Sequence, residues 1–398
     1  MQRTADVIVL GLSPTGLYAV REAARAGYSV LGVGAPAACG LWSRFLTERI
    51  VADTPNDRVD AILNRVRTDQ NEKPVLIVTS DQDLEAVISR SEALSRVVHL
   101  QGAYTNGLAS RIMDKDVFYQ LCERHGVVYP SLWSAAVDLA EQYREQIAYP
   151  SMIKPARIQD VKHLMAGQKG WIVKDAAEFD ATLPKIPFEA GTLLMQEIVP
   201  GPESNITLWC GYLDANGQVR QRFTARKLRQ YPAGFGSASL VQSETCAETA
   251  EIAEGLLSAM GYRGIAAAEF KRHPETGKLK IIEVNPRPSL WFSLATKAGV
   301  PLIETAVAEA IGKPVPAFKK QVDGMLWRYA TKDLASRVFY LRNRNFVLPE
   351  PDLTRMAQVT GHADVSGAWD DPAPAAGEVF GFARKLVKRL RSKGCGRV

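Results

Sequence analysis

The stretch Ala266–Pro288, AAAEFKRHPETGKLKIIEVNPRP, decides how this chain is read. It reads as two β-strands joined by a tight hairpin. The first, Ala266–Arg272, carries Glu269, and the second, Leu279–Asn285, carries Glu283 and Asn285. Between them His273-Pro274-Glu275-Thr276-Gly277 has the Pro and Gly punctuation of a turn. Centring the hairpin on Thr276 places Glu269 opposite Glu283. Residues two apart on a strand share a face, so Asn285 points the same way as Glu283. Two carboxylates this close repel unless a cation or a proton sits between them. An oxygen-only donor set suits Mg²⁺, with Mn²⁺ as the alternative, so Glu269, Glu283 and Asn285 are the candidate metal ligands. An exposed hairpin face with ordinary charges is the competing reading. The apolar character of Leu279–Val284 argues against it, because unpaired acids are costly on a partly buried strand.

Working outward, the preceding segments supply cations. Asn205–Leu213 and Gln218–Lys227 read as a second hairpin around Asp214-Ala215-Asn216-Gly217, where Asn-Gly is a strong turn signal. It delivers Arg226, Lys227 and Arg229 just before the Gly-rich Tyr231–Ser237. Lys227 and Arg229, with Arg287 two residues past Asn285, read as a clamp for a phosphate or acyl phosphate. A solvated basic strand is the alternative. Ala247–Met260 is an amphipathic helix stopped by Gly261.

The N-terminus opens with a strand, Asp6–Leu10, then Gly11-Leu12-Ser13-Pro14-Thr15-Gly16, a helical pattern to Ala26, and a strand at Ser29–Val33. This is a βαβ opening of Rossmann type. The dinucleotide fingerprint fails, because Ser13 stands where glycine is wanted and Gly34-Ala35 where an acid is wanted. It is not a P-loop either, since Leu17-Tyr18 follow Gly16. The helix start could still hold a substrate carboxylate on its backbone N–H groups. Further strands are expected at Pro74–Thr79 and Val97–Leu100, with a helix from Asp81 as its N-cap. Gly102–Ser110 reads as a polar linker out of this first domain.

Beyond it come Asp114-Lys115 at the start of a helix over Met113–His125, then Gly126–Pro130, then Tyr149-Pro150-Ser151-Met152-Ile153-Lys154-Pro155. Ala166-Gly167-Gln168-Lys169-Gly170 is a short Gly-containing segment, and Leu193–Val199 is an apolar strand running into Pro200-Gly201-Pro202-Glu203. Together with Glu269 and the run Glu283-Val284-Asn285-Pro286-Arg287-Pro288, this order resembles the ATP-grasp superfamily over about Arg111 to Ile311. Within it the chain is similar to the carboxylate–amine ligases, D-aspartate ligase and the large-chain domains of carbamoyl-phosphate synthase.

The resemblance implies a fold: a Rossmann-like N-terminal domain (1–105), a two-subdomain ATP-grasp domain (106–312) and a small C-terminal extension (313–398), α/β and α+β in class. It implies ATP-binding residues as well. Lys115 and Lys154 hold phosphates, and Ala166–Gly170 with Lys162, His163 and Lys169 forms a phosphate flap. Gln196, Glu197 and Val199 lie along the adenine edge, and Glu203 takes the ribose. A half-buried strand ending in a turn would give the same Leu193–Glu203 pattern. The implied activity is ATP- and Mg²⁺-dependent joining of a carboxylate and an amine through an acyl phosphate, on an amino acid or amino-sugar substrate. An ATP-grasp phosphotransferase and a non-catalytic nucleotide-binding regulator are the alternatives. A dehydrogenase ranks last.

Composition agrees with this frame. The chain has 398 residues, 46% hydrophobic and 23% charged, with a net charge of +6. A modest basic excess fits anionic substrates and does not argue for nucleic acid. The five cysteines are dispersed, as reduced thiols of a cytoplasmic protein would be. No apolar run is long enough to span a membrane, and no leader is expected. From Lys313 the resemblance fades. A strand is expected over Asp323–Ala330, a helix over Lys332–Asn343, a Pro/Ala-rich linker over Asp370–Gly377 and a basic amphipathic helix over Val379–Leu390. That tail reads as docked or solvated, with homo-oligomer formation or contact with an anionic membrane surface as alternatives.

Overall fold

The computed structural model describes residues 5–66, 73–156, 161, 164–165 and 170–378. The expected tail helix over 379–390 lies outside the described residues, as do Lys162, His163 and residues 166–169 of the expected flap. The fold is mixed α/β, and the described strands form three sheets.

The first sheet is built from β1 (Val7–Leu10), β2 (Val30–Gly34), β3 (Glu48–Val51) and β4 (Val75–Val78), in the order β3-β2-β1-β4 and parallel throughout. β1, β2 and β4 are buried along their whole length, as parallel strands covered on both faces must be. β3 carries no apolar run and alternates half-buried with exposed residues, so its sequence announces little. The strand expected at Val97–Leu100 is reduced to a single bridge between Val75 and His99.

Gly11 leaves β1 at φ +88°, and a Cβ on Gly16 would stand 1.8 Å from the Gly11 carbonyl oxygen. Both glycines therefore serve a tight strand-to-helix turn into the helix Pro14–Arg25. The helix Asp81–Ser89 is capped by Ser80, whose hydroxyl accepts from the Asp83 N–H, and not by Asp81 as the sequence suggested. That correction leaves the Asp81 carboxylate free for other work.

The second sheet comprises β5 (Leu132–Ala136), β6 (Ser151–Pro155), β7 (Trp171–Val173) and β8 (Thr192–Glu197), in the order β5-β8-β6-β7 and antiparallel. The third holds β9 (Ile206–Leu213), β10 (Val219–Tyr231), β11 (Ser237–Ser243), β12 (Gly264–Arg272), β13 (Leu279–Asn285), β14 (Met325–Arg328) and β15 (Gly361–Asp364). Its order is β13-β12-β9-β10-β11-β14-β15. One face, with Trp209, Ala268 and Phe270, joins the core that includes Leu256 and Leu257 of the helix Ala247–Ala259. The other, with Leu208, Cys210 and Phe223, packs on Trp291 and Phe292 and opens beside them into a cleft.

Two expected linkers are not linkers. Gly102–Ser110 contains the helix Gly102–Thr105 and the start of Leu108–Met113, with Ala103, Tyr104, Leu108 and Ala109 buried. The Gln101 Oε1 accepts from Ile265 N at 2.5 Å, and the Tyr104 hydroxyl donates to the Pro286 carbonyl at 2.9 Å. The segment thus anchors β12 and the chain just past Asn285. In Asp370–Gly377, Asp371 is buried and accepts from Arg21 Nε at 2.9 Å, Ser43 Oγ at 2.7 Å and Arg44 N at 3.0 Å. Its carboxylate is the counter-ion of a buried guanidinium, which no composition count reveals. Asp371→Ala should therefore destabilise the protein by about 3–5 kcal/mol. Denaturant melting checks this, and a loss under about 1 kcal/mol would mean that Arg21 finds its counter-charge elsewhere.

Candidate active site

The β12–β13 hairpin reaches its arrangement by a slip. Near the turn, Arg272 faces Leu279, Lys271 faces Lys280 and Phe270 faces Ile281. Continued regularly, that register would set Glu269 against Ile282 and send Glu283 to the opposite face. Instead the register shifts at Ile282, and Glu269 pairs with Glu283 and Ala267 with Asn285. The hairpin is therefore not centred on Thr276 as expected; the bulge restores the carboxylate pair. The displaced Ile282 carbonyl accepts from Lys115 Nζ at 2.7 Å and from the Tyr119 hydroxyl at 3.0 Å. The Asn285 amide donates to Glu283 at 3.0 Å.

Cations surround the acids. Lys227 Nζ, almost fully buried, lies 2.6 Å from both Glu269 oxygens and 3.2 Å from Gln230 Oε1. Burial and the neighbouring Glu283 push the Glu269 carboxyl above its ordinary value, against the pull of Lys227. Burial acts upward on Glu283 too, but Lys115, Lys227, the Asn285 amide and Arg287 outweigh it and hold that carboxyl below its ordinary value. Lys115 is itself pulled down by burial, with Glu283 and Glu269 opposing. The donor set fits a hard cation: two carboxylates face each other, a carboxamide stands beside them, and an ammonium already satisfies the nearer acid.

The two lysines implied as phosphate ligands are linked by Gln196, expected along the adenine edge, and by Tyr119, which no motif named. Lys154 on β6 donates to Gln196 Oε1 at 3.1 Å, and Gln196 Nε2 donates to the Tyr119 hydroxyl at 2.7 Å. Tyr119 meets Lys115 at the Ile282 carbonyl, and the Lys115 ammonium lies 5.3 Å from the Tyr119 ring centroid. Glu197 is bound at 2.6 and 2.7 Å by Lys280 and accepts from Ser131 N. The Val199 carbonyl accepts from Lys271 Nζ at 2.7 Å, and burial lowers that lysine to about 8.

Two expected site residues lie elsewhere. Arg229 does not join the clamp. The β10–β11 register is irregular on both sides of it, which breaks the alternation that would have set it beside Lys227. Its guanidinium pairs with Asp333 at 2.6 and 3.1 Å, on the helix Ala330–Arg342. Glu203 is not open to a ribose. It is fully buried and accepts from Gln230 N at 2.9 Å, Gly234 N at 2.5 Å and the Tyr340 hydroxyl at 2.9 Å. Three donors inside the fold leave it no role at a surface.

Lys227, Glu269, Glu283, Asn285 and Arg287 line one cleft of about 400 Å³. Its far wall comes from the first sheet's connections: Ser13–Thr15 at a helix start, and Ser80 and Asp81. Lys332 joins from the C-terminal region. Arg287 grips Asp81 with both fork nitrogens, at 2.6 and 2.7 Å, and reaches the Asn285 carboxamide oxygen at 3.3 Å. Tyr119, Lys271, Lys332 and Asp81 were missed as site residues. Only Tyr119 had a signal, one helical turn after Lys115.

Residues 234–318 match the family described as the carbamoyl-phosphate synthase L chain, ATP binding domain. D-aspartate ligase of Enterococcus faecium (strain Aus0004) is 26% identical over 249 residues, covering 59% of this chain and 58% of that one. The N-terminal section of the carbamoyl phosphate synthase large chain of Methanopyrus kandleri is 27% identical over 225 residues, covering 54% and 38%. The matches thus span little more than half of these relatives at most. The fold resembles N5-carboxyaminoimidazole synthetase from Staphylococcus aureus, with a TM-score of 0.62 and 14% identity over 81% of both chains. It also resembles the biotin carboxylase domain of Hydrogenobacter thermophilus 2-oxoglutarate carboxylase, with a TM-score of 0.61 and 13% identity over 82% and 74%. These matches agree with the resemblance to the ATP-grasp superfamily that the sequence carries.

The account of Glu203 has a direct check. Glu203→Ala strands two backbone N–H groups and a tyrosine hydroxyl, and should cost about 2–5 kcal/mol. Glu203→Gln keeps an acceptor and should cost less. Thermal melting that ranks the two equally with the parent would remove the structural role.

Proposed function

We propose that this chain is an ATP-dependent carboxylate–amine ligase that works through an acyl phosphate. The observation that carries the reading is the single cleft in which Glu269, Glu283 and Asn285 face Lys227 and Arg287, with Lys115 and Lys154 linked to it through Tyr119 and Gln196. Two carboxylates among cations, with no Cys or His lining the cleft among the described residues, are equipment for positioning and charge stabilisation, which is what phosphoryl transfer needs. Glu269, Glu283 and Asn285 would hold Mg²⁺, which when bound neutralises phosphate oxygens. Lys115 and Lys154 orient the phosphates. Lys227 and Arg287 hold the transferring phosphoryl group and the oxyanion that forms when the amine attacks. Gln196, Glu197 and Val199 remain the proposed adenine edge, with the Val199 carbonyl shared by Lys271. The proposed division into 1–105, 106–312 and 313–398 stands beside the observation that β14 and β15 extend the central sheet.

D-aspartate ligase among the relatives makes an amino acid the first carboxylate to try. The deciding experiment measures ADP release from ATP and Mg²⁺ with D-aspartate, L-aspartate, D-alanine and L-glutamate, each with and without an amine. A ligase needs both organic substrates for sustained turnover. Release with a carboxylate or alcohol alone, with a phosphorylated product accumulating, would make it a phosphotransferase.

Two variants test the roles. Glu283→Gln should abolish ADP formation while circular dichroism stays that of the parent, because the phosphates lose a charge-balancing carboxylate–metal link. Near-parental turnover would sink the metal assignment. Arg287→Ala should lower kcat by about 10²–10³ with little change in the KM for ATP. Arg287→Lys keeps the charge without the fork and should also be strongly impaired. If kcat holds and only the carboxylate KM rises, Arg287 anchors the ground state and the transition-state role is wrong.

A further inference from the structure

Asp81 and Arg287 come from opposite walls of the cleft and form a fork-to-carboxylate pair at 2.6 and 2.7 Å. Their environments differ. The Arg287 side chain is 14% exposed and is also held by the Pro288 carbonyl and the Asn285 carboxamide, whereas Asp81 is 54% exposed and opens to the cleft. Arg287 is therefore the oriented member and Asp81 the releasable one.

We propose that Asp81 receives the ammonium group of the amine substrate and takes its proton, once the carboxylate substrate has displaced it from the Arg287 fork. This rests on the ligase reading above. The argument is one of charge balance. A substrate carboxylate or acyl phosphate that occupies the fork leaves Asp81 as a second anion beside it. Like charges in a half-buried cleft are unfavourable unless a cation arrives. The ammonium of the second substrate is that cation, so each substrate supplies the counter-ion that the resting pair gives up. The swap also selects for an amine: water or an alcohol brings no positive charge. Because Asp81 stands within hydrogen-bond distance of the fork, a nitrogen held on it lies next to the carbonyl carbon held by Arg287.

The step balances. The ammonium gives one proton to the Asp81 carboxylate and becomes a free amine. Its lone pair forms the N–C bond, and the C–O bond to phosphorus breaks with its electron pair going to phosphate. The second nitrogen proton leaves with that phosphate, and Asp81 returns its proton to solvent.

The test compares two nucleophiles on one acyl phosphate. Hydroxylamine is uncharged at neutral pH and needs no ammonium acceptor, whereas ammonium chloride does. The parent, Asp81→Asn and Asp81→Glu are incubated with ATP, Mg²⁺ and the same amino acid panel, and hydroxamate and amide are both quantified. In Asp81→Asn the amide-to-hydroxamate ratio should fall about a hundredfold, the low end of what a positioned base contributes. Asp81→Glu should restore part of it. An unchanged ratio overturns the proposal, and equal loss of both products shows a strut that only positions Arg287. If Asp81→Asn does not fold, Asp81→Ser is read the same way. A parent enzyme that yields neither product with any carboxylate overturns the ligase reading itself, a result distinct from a parent that works and a variant ratio that does not move.

Discussion

Two carboxylates, Glu269 and Glu283, are held opposite each other on neighbouring strands. Much of the surrounding structure answers that repulsion. Lys227 reaches Glu269 across β9, Lys115 comes from a helix behind the hairpin, and Arg287 closes the row beside Asn285. Each cation is in turn oriented by a neutral group: Gln230 for Lys227, the Ile282 carbonyl for Lys115, and the Pro288 carbonyl for Arg287. Removing a cation would leave a like-charge pair exposed to its own field, so the cleft is a balanced set.

The same bulge that creates the pair also creates its support. By inserting Ile282, β13 turns Glu283 toward Glu269 and turns a carbonyl toward Lys115 and Tyr119. Bulges beside active sites commonly re-aim side chains in this way. Tyr119 passes the constraint on to Gln196 and Lys154, so the second sheet is tied to the third through side chains as well as through packing.

Elsewhere the fold spends charged residues on architecture. Glu203 ties the β10–β11 connection to Tyr340, Arg229 holds Asp333, and Asp371 neutralises Arg21. All three arrangements end on residues after 313, where the family resemblance had faded. That segment is therefore built into the body by buried ions and by β14 and β15, and it brings Lys332 to the cleft. Buried pairs of this kind are costly to break from one side only, which makes the C-terminal residues part of the site's geometry.

By itself the sequence determined the local elements and the donor chemistry. The alternation along Leu279–Asn285, the Asn216-Gly217 turn and the spacing of Lys115 and Lys154 are short-range patterns, and five of the residues singled out with them, Glu269, Glu283, Asn285, Lys227 and Arg287, line one cleft. It could not decide which like-looking charges reach the cleft. Glu203 read as a site residue by resemblance and Arg229 by strand parity, and both are blind to a register irregularity and to a helix arriving from position 330. Asp81 read as a cap because its partner lies 206 positions away. Tertiary structure made those choices, since the fate of a charge depends on which counter-charge reaches it, and chain separation carries no information about that distance.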